Sequence, residues 1–289
     1  MPNTPLHAGL ADCYGSLASY DVLPPNESMP KAKEAALKAI SIEPNLPEAQ
    51  AALGRARMFD WDWQGAEESF KLAIELNPNY ATARHDYGIY LRDMGRFDES
   101  LSESKKAEEL DPTSATRKST RGGTLYFARR YDEAIEELGE ALELDSNNAI
   151  AHFYLGRIYV EKAMYEEAAA EYELTIRAFG KRPELLANLG HVAAVSGRKE
   201  DARKVIAELE EISKGEYVPS YFTALIHIGL YEKEQALEFL EKGYREYDLN
   251  LMCLGVDPML DKLRSHPRFA RLLERTGLIE HLQVPATLR

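Results

Sequence analysis

The stretch DWDWQGAEESF, residues 60–70, holds the only two tryptophans of the chain, two residues apart and flanked by carboxylates. Paired indoles between acids have the look of a ligand platform. Other residue types that do chemistry are sparse. Ser102 and Lys105 have a Ser-x-x-Lys spacing, but the companion elements of such sites are missing and the pair falls in mid-helix. The seven histidines are scattered, and neither His85 nor His191 has a companion at metal-ligand spacing. There is no HExxH helix and no glycine-rich phosphate loop. Cys13 and Cys253 are the only cysteines, too few for a disulfide framework or a metal quartet. The expectation is a chain without catalysis, cofactor or metal.

Composition narrows what remains. The 289 residues are 45% hydrophobic and 29% charged, as in a soluble folded protein. A formal net charge of −13 argues against nucleic acid as a partner of this chain alone, because phosphate binding needs a clustered excess of Lys and Arg. The same acidity repels an anionic membrane. No run reaches the roughly 18 apolar residues of a span. The start, MPNTPLHAGLADCY, lacks the basic and apolar regions of a signal peptide. These features predict a cytoplasmic protein, in which the Asn-Glu-Ser sequon at 26–28 carries no weight.

The chain repeats itself. SIEPN, ELNPN and ELDPT place Pro44, Pro78 and Pro112 at intervals of 34 residues, and ELDSN continues with Ser146. Gly54, Gly88, Gly122, Gly156 and Gly190 keep the same interval, as do Ala32, Ala66, then Ser100, Ala134, Ala168, Ala202 and Ala236. A large residue and Gly, then Ala, an aromatic, Ala and Pro recur, as Leu53, Gly54, Ala66, Phe70, Ala73 and Pro78. Period and pattern resemble the tetratricopeptide repeat, a helix–turn–helix unit. The resemblance implies an all-α, right-handed superhelical solenoid of about seven hairpins. Small residues would let paired helices approach, and each hairpin would need a neighbour to cover its apolar face. Gly95 and Gly197 fall where the first helix of a unit must reverse.

Six units run in phase over 47–250: 47–80, 81–114, 115–148, 149–182, 183–216 and 217–250. Residues 1–46 form a divergent first unit with an inserted loop around SYDVLPPNESMP, and begin almost inside a helix, as though something upstream were missing. In 251–289, Asp257-Pro258 and His266-Pro267 read as helix starts and Gly277 as a stop, which predicts short helices capping the open end of the solenoid. The DWDW phrase, the LPP loop and the DPMLDKLRSHPRFARLLERTGL tail together resemble the tetratricopeptide region of bacterial signalling proteins. There this region follows a winged-helix DNA-binding domain or a nucleotide-cyclase domain, so the resemblance implies a sensing or protein-contacting module.

By the same resemblance, five positions of each first helix line a concave groove. They include Arg55, Met58 and Phe59; His85, Ile89 and Arg92; Ser119, Tyr126 and Phe127; Phe153 and Arg157; with Asn188 and His191 further on. Rings and cations alternate along this path, as suits an extended peptide or a helix of a partner. The competing reading packs Phe59 and Phe127 between repeats and leaves the arginines solvated. The two-carboxylate clamp of chaperone-binding relatives is absent, since Ala8, Asp12 and Ala52 stand at its positions. Acidic runs such as EEAAAEYE, 166–173, read as the solvated convex face. The expected partner is a protein or peptide, with self-association through ends or groove as a further possibility. In register, Trp63 matches Phe97, Tyr131 and Tyr165, an aromatic that pins the turn. Trp61 takes the place of Gly95 and has no standard pocket.

Overall fold

Helices form where the 34-residue pattern places them. The computed structural model describes residues 4–282, with α-helices, short 3₁₀ turns and no strand among them. The first hairpin is α1 (Thr4–Ser19) with α2 (Pro25–Ile42). Then come α3 (Pro47–Phe59) with α4 (Trp63–Leu76), α5 (Ala81–Asp93) with α6 (Phe97–Leu110), and α7 (Ala115–Phe127) with α8 (Tyr131–Leu144). The last three are α9 (Ala149–Glu161) with α10 (Tyr165–Phe179), α11 (Pro183–Val195) with α12 (Lys199–Ile212), and α13 (Ser220–Gly229) with α14 (Lys233–Glu246). Each helix packs most extensively on its hairpin partner and then on the next hairpin, forming an all-α solenoid.

The repeat pattern has a direct steric meaning. A Cβ on Gly54 would lie 2.7 Å from the Phe70 ring, one on Gly122 2.6 Å from Leu138, and one on Gly156 2.6 Å from the Tyr172 ring. In these three units a large side chain of the second helix occupies the space left by the glycine of the first, whereas Gly88 faces Ser104 and Gly190 faces Val205 and Ile226. Ala66, Ala134, Ala168, Ala202 and Ala236 are wholly buried at the crossing. Side-chain caps mark a few of the helix starts. Asp62 accepts from the Gly65 amide at 3.0 Å and Asn148 from the Ala151 amide at 3.0 Å, which satisfies donors that the helices leave free.

Every turn between paired helices reverses through one left-handed residue. From the second hairpin on these are Trp61, Gly95, Arg129, Ala163, Gly197 and Tyr231, with φ between 56° and 84°. Gly95 and Gly197 reverse the chain as the sequence indicated; the other four turns do so without glycine. In the first hairpin Asp21 takes this role. The inserted loop is shorter than its composition suggests. Pro25 opens α2, where a missing N–H costs nothing, and the insertion adds a turn to a helix of 18 residues against 14 in α4.

The C-terminal segment does more than cover the last hairpin. After α14 come 3₁₀ turns at Leu249–Cys253 and Pro258–Leu263, then α15 (Pro267–Arg275) and α16 (Leu278–His281). Phe269, Leu272 and Leu278 pack with Leu237 and Leu240 of α14, as a cap should. The same segment also crosses the inside of the superhelix. Leu249 and Met252 lie with Phe59 and Met29, and Val256 lies with Leu125, Tyr126 and Leu155. The expected end cap is therefore also a filling of the concave face, because Leu251, Leu254, Val256 and Leu260 are apolar on all sides and need cover beyond what one hairpin offers. Residues 283–289 of the expected cap lie outside the described residues.

Ala163 holds its left-handed turn while exposed, a conformation that costs an L-residue about 1 kcal/mol relative to glycine. Ala163→Gly should raise the urea midpoint by a corresponding amount, and a lowered midpoint would contradict the strain.

Candidate functional site

The first helices of the units line the inner face, and their cations and rings meet there. At its centre, Arg157 of α9 is buried and donates through Nη1 to Asp257 Oδ2 at 2.9 Å and through Nη2 to the Tyr221 hydroxyl at 3.3 Å. Tyr221 donates to the same carboxylate oxygen. Asp257 Oδ1 accepts from the Met259 amide at 3.0 Å and the Tyr126 hydroxyl at 3.3 Å. The guanidinium also lies 5.0 Å over the Phe153 ring. Burial pushes the Asp257 carboxyl up, but the Arg157 charge and the hydrogen bonds from Tyr221, Met259 and Arg157 outweigh it and hold it below its usual range.

Around this pair the remaining inner-face residues are held by their own chain. Arg92 is bound to Asp93 through Nε at 2.9 Å and lies 4.6 Å over the Phe127 ring. Phe59 is buried, with its ring 5.2 Å from Tyr247. Asn188 is buried, donating to the Glu184 carbonyl at 2.8 Å and accepting from the Tyr172 hydroxyl at 3.4 Å. His191 donates from Nδ1 to the Leu225 carbonyl at 2.6 Å, and burial pushes its imidazole down to about 4. Half-buried His85 is likewise pushed down by burial. Arg55 pairs with both Asp12 and Asp86.

Two openings remain on this face. A cleft of 220 Å³ is lined by Arg55, Met58, Ile89, Leu249 and Met252, among others. A larger cavity of 550 Å³ holds Phe153 and lies where the turn of the first hairpin meets α9 and α11. Of the ten groove residues expected from the sequence, Arg55, Ile89 and Phe153 thus line these two openings, and His191, itself buried, lies at the wall of a third beside Met259 and Lys262. Phe59, Tyr126, Arg157, Asn188 and His191 are enclosed, Arg92 is held against Asp93 and Phe127, and His85 is half-buried.

The tryptophans lie at a seam. Trp63 is buried and donates from Nε1 to the Thr276 carbonyl at 2.8 Å. Trp61 is half-buried, stacks on Tyr244 of α14 with ring centres 6.2 Å apart, and lies 5.6 Å from Trp63. Arg275 covers the Tyr244 ring at 4.2 Å. The DWDW turn therefore joins the second hairpin to the last hairpin and its cap.

Comparison with known proteins agrees with this geometry. The TPR repeat family model matches residues 123–162. A tetratricopeptide repeat protein from Parabacteroides merdae superposes with a TM-score of 0.57 at 14% identity, covering 94% of this chain and 98% of that one. This is a tetratricopeptide-repeat solenoid. The repeat protein of the Cut9–Hcn1 hetero-tetramer of the APC/C superposes with a TM-score of 0.58 at 16% identity, over 83% of this chain and 45% of that one. The transcriptional regulator HilA of Salmonella typhimurium is 33% identical over 95 residues, a third of this solenoid, and the match spans only 17% of HilA's length.

Tetratricopeptide-repeat solenoids are in general protein-interaction scaffolds. The partners of the inner-face cations within this one were not legible in the sequence. Asp257 read as a helix cap, which it is for Met259, but its pairing with a residue 100 positions earlier has no local signal. Nor did spacing link Trp63 to Thr276, 213 positions later. The one available hint was Arg157 itself, a charge placed in the apolar run YLGRIYV.

Removing one partner of a buried pair leaves the other charge unpaired, at a cost of about 3–5 kcal/mol. Asp257→Ala should lower stability by that order in urea titration and make the 248–282 segment cleavable by protease under native conditions. Intact protection would show that the pair does not hold the segment. His191 gives a separate acid signature. Between its depressed value of about 4 and the ordinary 6.5 the unfolded chain binds a proton that the folded chain refuses, so stability rises with pH across that window. Going from about pH 7 to about pH 5, the wild type should lose on the order of 1–2 kcal/mol relative to His191→Asn. Parallel urea titrations of the two proteins check this.

Proposed function

We propose that this solenoid is a non-catalytic scaffold that holds a protein or peptide segment on the open part of its inner face. The observation that carries the reading is the contrast along that face. Its centre is filled by the chain's own C-terminal segment, while at the two flanking openings Ile89 and Phe153 border open space, the smaller opening sharing Leu249 and Met252 of that segment as wall. In the smaller opening Ile89, Met58 and Met252 offer an apolar floor that takes an apolar anchor, bordered by Arg55 in its pairs with Asp12 and Asp86. Asn188, His191, Tyr126, Arg92 and Arg157 then act as the framework that fixes the spacing of the openings. Phe59 and His85 belong to the same wall. The Cut9–Hcn1 assembly supports the general reading, since a repeat protein of similar fold is there bound to another protein. The acidic balance of −13 and the absence, among the described residues, of a helix long and apolar enough to cross a membrane fit a cytoplasmic protein partner rather than nucleic acid or lipid.

A second reading makes the solenoid the regulatory or sensing part of a bacterial transcription regulator or cyclase-type signalling protein. The partial match to the transcriptional regulator HilA favours it. In that setting the same inner face receives the regulatory partner.

A photo-crosslinking residue placed at Ile89 should capture the partner from a lysate of the source cells, whereas one at Lys105 on the convex side should not. Ile89→Glu should weaken that capture about tenfold, the loss expected of one buried apolar anchor. Capture from Lys105 alone would place the partner on the outer face and sink the groove reading.

A further inference from the structure

The 550 Å³ cavity has a chemistry of its own. Its walls are the turn after α1, the loop before α11 and the first turns of α9 and α11. Tyr20 and Phe179 stand 64% and 53% exposed at its rim, an unusual placement for two large rings, and Phe153 forms its apolar back. Charge in the cavity is unbalanced. Arg182 already donates to the Tyr20 carbonyl at 3.3 Å and lies 5.9 Å over the Tyr20 ring. Glu184 lines the same space, and among the described residues its carboxylate has no hydrogen-bond or ion-pair partner. Burial pushes that carboxyl up, more than the Arg182 and Arg157 charges pull it down. Neighbouring Asp21 is pushed up to about 8 by burial and by the Asp248 and Glu184 charges, against Arg182. Asp145 adds a second carboxylate at the edge, while Asp21 at that value is the neutral acid near pH 7. A partly desolvated carboxylate without a cation is costly, and a cation brought in by a ligand removes the cost.

We propose that this cavity receives a Lys or Arg side chain of an extended partner segment, with its charged end on Glu184 and its apolar stem against Phe153, Phe179 and Tyr20. Rings beside a carboxylate suit such an amphipathic cation, which offers both a charge and a methylene stem. An acidic segment fits poorly, because carboxylates outnumber the single guanidinium and that guanidinium is already engaged. The proposal rests on the scaffold reading above and names the class of partner for its larger opening.

The test is selection of a random-peptide display library on the full chain, followed by fluorescence anisotropy of the enriched peptides. Enriched peptides should carry Lys or Arg, and alanine at that residue should weaken binding about tenfold, the value of a charge-assisted contact. Glu184→Gln and Phe179→Ala should each cause a similar loss, with circular dichroism checking that both variants remain folded. Enriched peptides that lack basic residues would overturn the proposed chemistry. Basic peptides indifferent to both variants would overturn the site while leaving the scaffold reading intact. No enrichment over an unrelated helical protein would overturn both.

Discussion

The buried pair of Arg157 and Asp257 is the interaction on which the interior of this solenoid depends. A guanidinium and a carboxylate in an apolar setting are tolerable only when each is well satisfied. Here the carboxylate takes Arg157, two tyrosine hydroxyls and a backbone amide, and so ties α9, α7 and α13 to one point of the C-terminal segment. Neighbouring apolar residues depend on that point. Leu254 and Val256, just before Asp257 in the chain, are fully buried, and they find cover only if the segment lies across the inner face. In an open solenoid contacts run between neighbours alone. This one adds a long-range closure, and with it a cooperative link between distant repeats.

The tryptophan seam extends the same closure to the ends. Trp63 hydrogen-bonds the Thr276 carbonyl, while Trp61 stacks on Tyr244. What looked like a ligand platform is a clasp between the second hairpin and the last. Trp61 occupies the left-handed turn position between α3 and α4, and from there its ring reaches both Trp63 and Tyr244. The first hairpin makes a parallel contact on the opposite side, where Arg182 donates to the Tyr20 carbonyl. Between these closures two openings stay accessible beside Ile89 and Phe153, and one of them is bordered by carboxylates without an ion-pair partner among the described residues.

Much of this architecture was legible before any coordinates. The glycine and alanine intervals located the hairpin crossings, and Pro258 and Pro267 stand in the opening turn of a 3₁₀ segment and a helix, as expected. The site was legible only in part. Register placed Arg157, Tyr126, His191 and Asn188 on first helices, and all four are buried against their own chain. It held no information on whether partner or self would meet them. The proline-rich stretch of the first unit was misread for a related reason: its composition signals a turn, yet two adjacent prolines also start a helix well.

The sequence by itself determined the local and the periodic: helix positions, the turn register and the paired small and large residues at each crossing. These follow from steric rules that act within one repeat or between neighbours, and a period of 34 residues writes them out many times over. Only the tertiary structure decided that the concave face is closed at its centre by residues 248–282. That outcome depends on the accumulated rotation of successive hairpins, which brings Asp257 back to Arg157 and Thr276 to Trp63. Such rotation is a sum of small packing angles, and no single residue spacing encodes it.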